Sequence, residues 1–314
     1  MTEPPLHLSS LLALPVARLR EELSFHEGPL PDGILEALAI DPRRGVRALA
    51  QQLRDRDQAH QREAARLERL LGFERACWDE GASLVAGVDE AGVGPLAGPL
   101  AAAAVILPPR IDLPAILPGL DDSKRLPPAR RQLLADRIRA AALAWSVVFV
   151  EVEEIDQLNI YQAGLLAMRR AVDSLTALPD RLLVDARTLP SCQIPQEAII
   201  RGDARSASIA AASILAKTAR DQRMKELDTL YPGYGLALHQ GYPTAAHVEA
   251  IERLGPLPIH RRSFRPVRQI LELASSAESR APHPETSLPL FPVSPSPELP
   301  DPTRTSSRKG DHRL

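Results

Sequence analysis

Three short apolar runs in the middle of this chain each lead to a carboxylate. Leu84-Val85-Ala86-Gly87-Val88 precedes Asp89-Glu90, Leu182-Leu183-Val184 precedes Asp185, and Ala198-Ile199-Ile200 comes shortly before Asp203. Runs this short, bounded by Gly, Pro and Asp, read as buried strands rather than helices. A sheet built from them would hold its acids rigidly at one edge. Four carboxylates so gathered repel one another, and their desolvation raises the proton affinity of each. A divalent cation resolves that conflict. Hard oxygen donors with no His or Cys among them select Mg²⁺ or Mn²⁺ over zinc, and two such ions could clamp the attacking and leaving oxygens of a phosphodiester. Any one of these acids could instead cap a helix, Asp203 ahead of Ser206-Ala207-Ser208 above all. Adjacent strand residues also point to opposite faces. Asp89 and Glu90 can therefore share a site only where the strand ends or kinks, which Gly92 and Gly94 permit.

The rest of the pattern fits an α/β chain. Strands are expected over Ser83–Asp89, Leu100–Leu107 and Leu143–Val152, in addition to the two shorter runs. Helices are expected at 128–142, 158–175, 206–229 and 244–254. The order βββαβαβα, with an early helix between the second and third strands, predicts three antiparallel strands extended by parallel ones: a mixed five-stranded sheet flanked by helices. Residues 1–80 read as a small helical extension, with helices from Ser10 or Pro15 through Leu23 and over Ile34–Ile40, a turn over Gly28–Gly33, and a third helix with Asp41 as N-cap and Pro42 at its first position. Residues 81–270 read as the main domain. Residues 271–314 read as a disordered Pro/Ser-rich tail, since the last 40 residues hold 8 of the chain's 30 prolines and no apolar periodicity.

Charge and composition exclude several roles. The net charge is −2, so nucleic acid would have to be bound through local patches. The span 42–71 is one candidate, with 8 Arg against 4 acids; it reads either as a solvated helix face or as a contact to a duplex backbone. Aromatic residues make up 4% of the chain, too few to favour a base-stacking platform. Cys77 and Cys192 stand far apart, which rules out a disulfide framework or a CxxC zinc site and fits a reducing, cytoplasmic setting. No stretch of eighteen apolar residues predicts a membrane span.

The segment Gly92-Val93-Gly94-Pro95-Leu96-Ala97-Gly98 admits a dinucleotide-binding turn. Such a turn should open into a helix, whereas Ala101-Ala102-Ala103-Ala104-Val105-Ile106-Leu107 ends in strand-like residues before Pro108-Pro109. Extended at both ends, Gly87-Val88-Asp89-Glu90-Ala91-Gly92-Val93-Gly94-Pro95-Leu96-Ala97-Gly98-Pro99 closely resembles the opening signature of bacterial ribonuclease HII, the type 2 ribonuclease H. Further matches follow in family order, among them Asp122-Ser123-Lys124-Arg125-Leu126, Gly202-Asp203-Ala204-Arg205-Ser206, Ala211-Ala212-Ser213-Ile214-Leu215-Ala216-Lys217, Gly241-Tyr242-Pro243-Thr244 and His260-Arg261-Arg262-Ser263-Phe264. They span residues 80–267, and the helical extension resembles that of longer family members.

The resemblance implies a ribonuclease H-like fold. It implies cleavage of the RNA strand of RNA/DNA hybrids and of single ribonucleotides embedded in duplex DNA, by a monomer using two Mn²⁺ or Mg²⁺ ions. It maps the metal-binding and catalytic acids onto Asp89, Glu90, Asp185 and Asp203, a junction-reading turn onto Gly92, Val93 and Gly94, and a sugar-contacting tyrosine onto Tyr242. Lys124, Arg205 and Lys217 could contact phosphates. Four departures from the family pattern stand out. Val93 replaces the usual Arg of a Gly-Arg-Gly turn, Ala186-Arg187 replaces a Gly-Asn-like pair, Gln240 stands where Lys is common, and the Pro-rich tail has no family role. On sequence alone, Val93→Arg is expected to restore a phosphate contact, with Arg187 as the alternative source of the missing charge.

Overall fold

The computed structural model describes residues 8–25 and 32–280. The expected turn at Gly28–Gly33 falls mostly outside them, as do residues 281–314 of the expected tail; the first residues of that tail, 271–280, are helical instead, because no proline interrupts them. The chain opens with helices α1 (Leu8–Leu12), α2 (Val16–Phe25), α3 (Ile34–Ala39), the long α4 (Arg44–Leu70) and α5 (Gly72–Asp79). Strands β1 (Val85–Ala91) and β2 (Leu100–Ile106) follow. Helices α6 (Leu113–Ile116) and α7 (Pro128–Ala141) lead to β3 (Ala144–Val150), and α8 (Val152–Leu158) and α9 (Ile160–Asp173) lead to β4 (Arg181–Asp185) and β5 (Gln196–Ile199). A 3₁₀ turn (Gly202–Ala204) then precedes α10 (Ala207–Leu230), α11 (Leu236–His239), α12 (Ala245–Leu254) and α13 (Arg265–Arg280). No helix among the described residues is long and apolar enough to cross a membrane.

The sheet has the order β3-β2-β1-β4-β5. β1, β2 and β3 are antiparallel, and β4 and β5 continue from β1 in parallel. This is the expected mixed sheet, with one difference. No helix joins β4 to β5 among the described residues. Pro190 and Pro195 break the connecting segment, Ala186 and Ser191 adopt positive φ, and the Gln196 side chain braces the loop by bonding both the N–H and the carbonyl of Leu189.

Strand alternation gives each face of the sheet its own core. Ala103 and Val105 pack with Ala211, Ile214 and Leu215 of α10 and with Leu134 and Ile138 of α7. Val88, Ala102, Ala104 and Ile106 pack with Ala163, Ala167, Met168 and Ala171 of α9 on the other side. The small side chains of β2 let both layers approach closely. At Gly87 the approach is closer still, since a Cβ there would overlap the Ser208 backbone at the start of α10. That contact brings the α10 N-terminus up to the acidic end of β1.

Two N-terminal expectations change. Asp41 does not cap α4. Arg43 takes its carboxylate instead, through its own N–H (2.8 Å) and its guanidinium (2.7 Å), and the same guanidinium reaches the carbonyls of Leu12 and Leu14. The helix starts at Arg44 with no side-chain cap. The positive span 42–71 is also less available than its composition implies. Arg43 and Arg66 are ion-paired, and Arg47, Arg54 and Arg62 bond nearby carbonyls. Arg44, Arg56 and Arg69 are without a partner among the described residues.

The extension is welded to the main domain by Glu74 of α5, which is fully buried. One of its carboxylate oxygens accepts from Ser206 Oγ (2.5 Å), Ser208 N (2.8 Å) and Ser208 Oγ (2.6 Å), at the N-terminus of α10. Burial raises its proton affinity, and those hydrogen bonds oppose the rise. Glu74→Ala strands three buried donors, and each unsatisfied donor costs about 1–3 kcal/mol. Equilibrium unfolding should show a loss of about 3 kcal/mol, with Glu74→Gln milder. An unchanged unfolding midpoint for Glu74→Ala would mean the weld contributes nothing.

Candidate active site

Because β1 and β4 run parallel, their C-terminal ends lie at the same edge. Val88 pairs with Val184, so the next residues, Asp89 and Asp185, emerge side by side. Asp203 arrives from the 3₁₀ turn beyond β5, and the turn is tied to β4 by the Gly202 N–H, which donates to Asp185 Oδ1 (2.7 Å). Arg201 and Ala186, flanking these two acids, both sit at φ 55. That region favours glycine, which accounts for the Gly of the family pattern at position 186.

Glu90 joins the group in a way the sequence did not predict. β1 neither ends nor kinks at Asp89, but stays paired with β2 through Glu90 and Ala91. β4 stops first, so both faces of the last β1 residues open onto the same edge. The Glu90 N–H donates to Asp89 Oδ1 (2.7 Å). Asp185 lies electrostatically between its neighbours, pushing up the proton affinities of Asp89, Glu90 and Asp203 alike.

Burial is the largest cause of those three shifts. It acts with the charges of Glu90 and Asp185 to hold the Asp89 carboxyl well above the ordinary range. At Glu90, burial raises the carboxyl against the opposing charge of Arg187, whose Nη1 lies 3.3 Å from Oε1. At Asp203, burial is joined by Asp122 and Asp185 and opposed by Lys124, whose Nζ lies 3.7 Å from Oδ2. Lys124 itself is raised despite its burial, by Asp203, Asp122, Asp89 and Asp185. Among the described residues, no group of three or more His, Cys, Asp or Glu side chains is placed so that it could hold a metal ion as it stands. The donor chemistry nonetheless fits a hard cation: four crowded carboxylates, with Glu90 Oε2 buried and without a hydrogen-bond partner.

The other sequence candidates divide into two groups. Gly92 turns the chain at φ 100, where a Cβ would collide with the Arg220 side chain. Gly94 is exposed, and a Cβ there would lie 3.6 Å from Tyr242 Cε1. Lys217 Nζ sits 5.9 Å from the centre of the Tyr242 ring and 2.6 Å from Asp221. The turn, the tyrosine and this lysine thus form one neighbourhood. Arg205 is held elsewhere, over the Phe73 ring and bonded to the Ile200 carbonyl. The Val93 side chain packs against the apolar cluster containing Val88 and Ala86.

Behind Tyr242, His247 bonds the Tyr242 carbonyl (3.0 Å) and His260 Nε2 (3.2 Å), and stacks on His239. Asp122, Ser213 and Tyr161 also border the site. Ser213 Oγ bonds Ser123 Oγ (2.9 Å) and tempers the rise at Asp89, and Tyr161 lies under the Arg187 guanidinium at 4.9 Å. Asp122 and Ser213 lay inside recognised motifs, whereas nothing in the sequence singled out Tyr161.

A five-stranded sheet of this order, with carboxylates clustered at the ends of its central parallel strands, defines a ribonuclease H-like nuclease. The family model for ribonuclease HII matches residues 86–267, and that for the ribonuclease HII N-terminal domain matches residues 15–78. Ribonuclease HII of Myxococcus xanthus is 52% identical over 290 residues, covering 92% of this chain and 96% of the relative. That of an Anaeromyxobacter species is 53% identical over 281 residues, covering 88% and 87%. Among solved structures, ribonuclease H2 from Pyrococcus horikoshii superposes with a TM-score of 0.53 at 28% identity, over 60% of this chain and 98% of that one. This chain belongs to the ribonuclease HII family. It is an endonuclease that hydrolyses the RNA of RNA/DNA hybrids.

Proposed function

We propose that the enzyme also cuts at single ribonucleotides embedded in duplex DNA, on the 5′ side of the ribonucleotide, and that water is its nucleophile. The observation that carries this reading is the convergence of Asp89, Glu90 and Asp203 around Asp185. So many buried like charges suit a site completed by divalent cations. Asp89, Glu90, Asp185 and Asp203 would hold two such ions, Mn²⁺ or Mg²⁺, which when bound supply a nucleophile at neutral pH and stabilise developing charge on the phosphate. The chain's own groups do the rest. The main chain of Gly92–Gly94 approaches the ribose, whose 2′-OH distinguishes it from deoxyribose. Tyr242 packs against the neighbouring sugar, while Lys124 and Lys217 meet the phosphate backbone. Arg205 lies farther out as a backbone contact. We read residues 1–80 as an extension that braces the catalytic domain (81–270), residues 281–314, beyond α13, as a passive tail, and the working unit as a cytoplasmic monomer.

Attack by water breaks the P–O3′ bond, leaving a 3′-OH upstream and a 5′-phosphate on the ribonucleotide. The alternative, attack by the 2′-OH itself, needs a base and an acid of the histidine kind. His239, His247 and His260 are occupied with one another and with the main chain. A duplex with one ribonucleotide, beside its all-DNA counterpart, tests the proposal. Cleavage of the first alone, with 5′-phosphate ends, is expected. A 2′,3′-cyclic phosphate product, or equal treatment of the two duplexes, would refute it.

A further inference from the structure

Arg220 on α10 and Arg261 after α12 are both completely buried, and neither pairs with a carboxylate. Their guanidinium groups donate only to main-chain carbonyls. Arg220 bonds Pro99 (3.0 Å), Gln240 (3.0 Å) and Ala97 (3.1 Å). Arg261 bonds Gly92 (2.7 Å), Val93 (3.1 Å) and Gly98 (2.9 and 3.1 Å). Burial pulls Arg220 down to about 10 and Arg261 to about 9, so both remain charged at neutral pH. Two buried cations without counter-ions are a costly way to brace a turn, and apolar packing would hold a loop as well.

What the arginines do set is the direction of the turn's peptide groups. In a planar trans peptide the carbonyl of one residue and the N–H of the next point in opposite directions. With the Gly92 and Val93 carbonyls drawn onto Arg261, the N–H groups of Val93 and Gly94 face away from it. Neither N–H has an acceptor within the described protein. They emerge next to Tyr242, whose ring borders Gly94. Arg220 ties the Gln240 carbonyl, two residues before that tyrosine, to the Ala97 and Pro99 carbonyls just beyond the turn, and its side chain lies against Gly92.

We propose that Arg261 is a positioning residue for ribose recognition: it aims the Val93 and Gly94 N–H groups outward as a paired donor for the substrate 2′-hydroxyl, while Arg220 sets the spacing between that pair and Tyr242. The inference rests on the reading of this turn as the ribose-contacting element. A hydroxyl oxygen has two lone pairs and can accept both bonds. A deoxyribose offers only C–H there and leaves both donors unpaired, the situation in which a polar site discriminates most strongly. The Val93 side chain takes no part, so recognition of this kind is indifferent to the residue at position 93.

Binding of the full-length chain to a single-ribonucleotide duplex and to its all-DNA counterpart, without added divalent ions so that neither is cut, tests the proposal. Arg261→Lys keeps the charge but loses the planar fork that spans several carbonyls. Its preference for the ribonucleotide duplex should fall by about tenfold or more, a shift equivalent to one lost hydrogen-bonded contact, and should fall further than its affinity for all-DNA. A folded Arg261→Lys with full preference overturns the inference. Should that variant fail to fold, the wild-type chain labelled with ¹⁵N-valine and ¹⁵N-glycine decides. The Val93 and Gly94 amide signals should shift with the ribonucleotide duplex and not with all-DNA, and unmoved signals overturn the proposal. A wild-type chain without any ribonucleotide preference would defeat the functional reading itself, whereas intact wild-type preference with a fully selective Arg261→Lys defeats this inference alone.

Discussion

Asp185→Asn is expected to lower single-turnover cleavage of a hybrid by about three orders of magnitude or more, the equivalent of about 4 kcal/mol of lost transition-state stabilisation. Asp185 is the carboxylate whose charge is felt at Asp89, Glu90 and Asp203, so its loss weakens the whole cluster's hold on a cation. The substitution isolates charge from shape. An amide oxygen at this position can still accept the Gly202 N–H that now bonds Oδ1 at 2.7 Å, so the 3₁₀ turn carrying Asp203 keeps its anchor. Removing one of several mutually repelling acids should leave the unfolding midpoint unchanged or raised, because active-site acids are held together at a cost to stability. Hybrid affinity should change by less than about threefold, since binding draws mainly on phosphate contacts. Near-normal cleavage by this variant would show that the cluster is not the reaction centre. Asp89→Asn should behave in the same way.

Most of the site could be read from local pattern because its parts are local. An apolar run followed by an acid describes a buried strand and what it presents, and the parallel pairing of β1 with β4 then brings Asp89 and Asp185 together. Asp203 has an ambiguous local signature, since an acid before a helix is also a cap. Its role as a neighbour of Asp185 depends on the Gly202 bond, which has no signature in sequence. For Glu90 the sequence calls for a strand end or kink at Asp89, whereas β1 stays paired with β2 through Ala91 and outlasts β4. Asp41 failed as a cap because Arg43, two residues on, competes for the same carboxylate. The groups with no local signature are those whose partners lie far along the chain. Glu74 meets Ser206 across 132 residues, and Arg261 meets Gly92 across 169. Charged residues in polar helices and loops read as solvated until the fold buries them.

Arg187→Ala should cost about ten- to hundredfold in kcat/KM, and Val93→Arg should bring no gain, which reverses the expectation drawn from sequence. The family places an arginine in the glycine turn, so its absence here suggested a missing phosphate contact. The structure gives Val93 another occupation. Its side chain packs into the apolar cluster under the sheet, and its carbonyl is one of those held by Arg261. A guanidinium at position 93 would have to leave that cluster or be buried close to an existing unpaired cation. Arg187, at the end of β4, already supplies positive charge at the edge where the acids converge. It lies over the Tyr161 ring, 3.3 Å from Glu90 Oε1, with its side chain three-quarters buried. Such stacking holds a planar guanidinium in one orientation with donors to spare, and a charge-assisted contact to a phosphate is worth about 1.5–3 kcal/mol. Arg187→Lys should recover only part of the loss, since an ammonium lacks the planar face that stacks on Tyr161. Steady-state kinetics of the three variants on a single-ribonucleotide duplex separate the two accounts. A gain in Val93→Arg together with normal activity in Arg187→Ala would return the missing charge to the glycine turn.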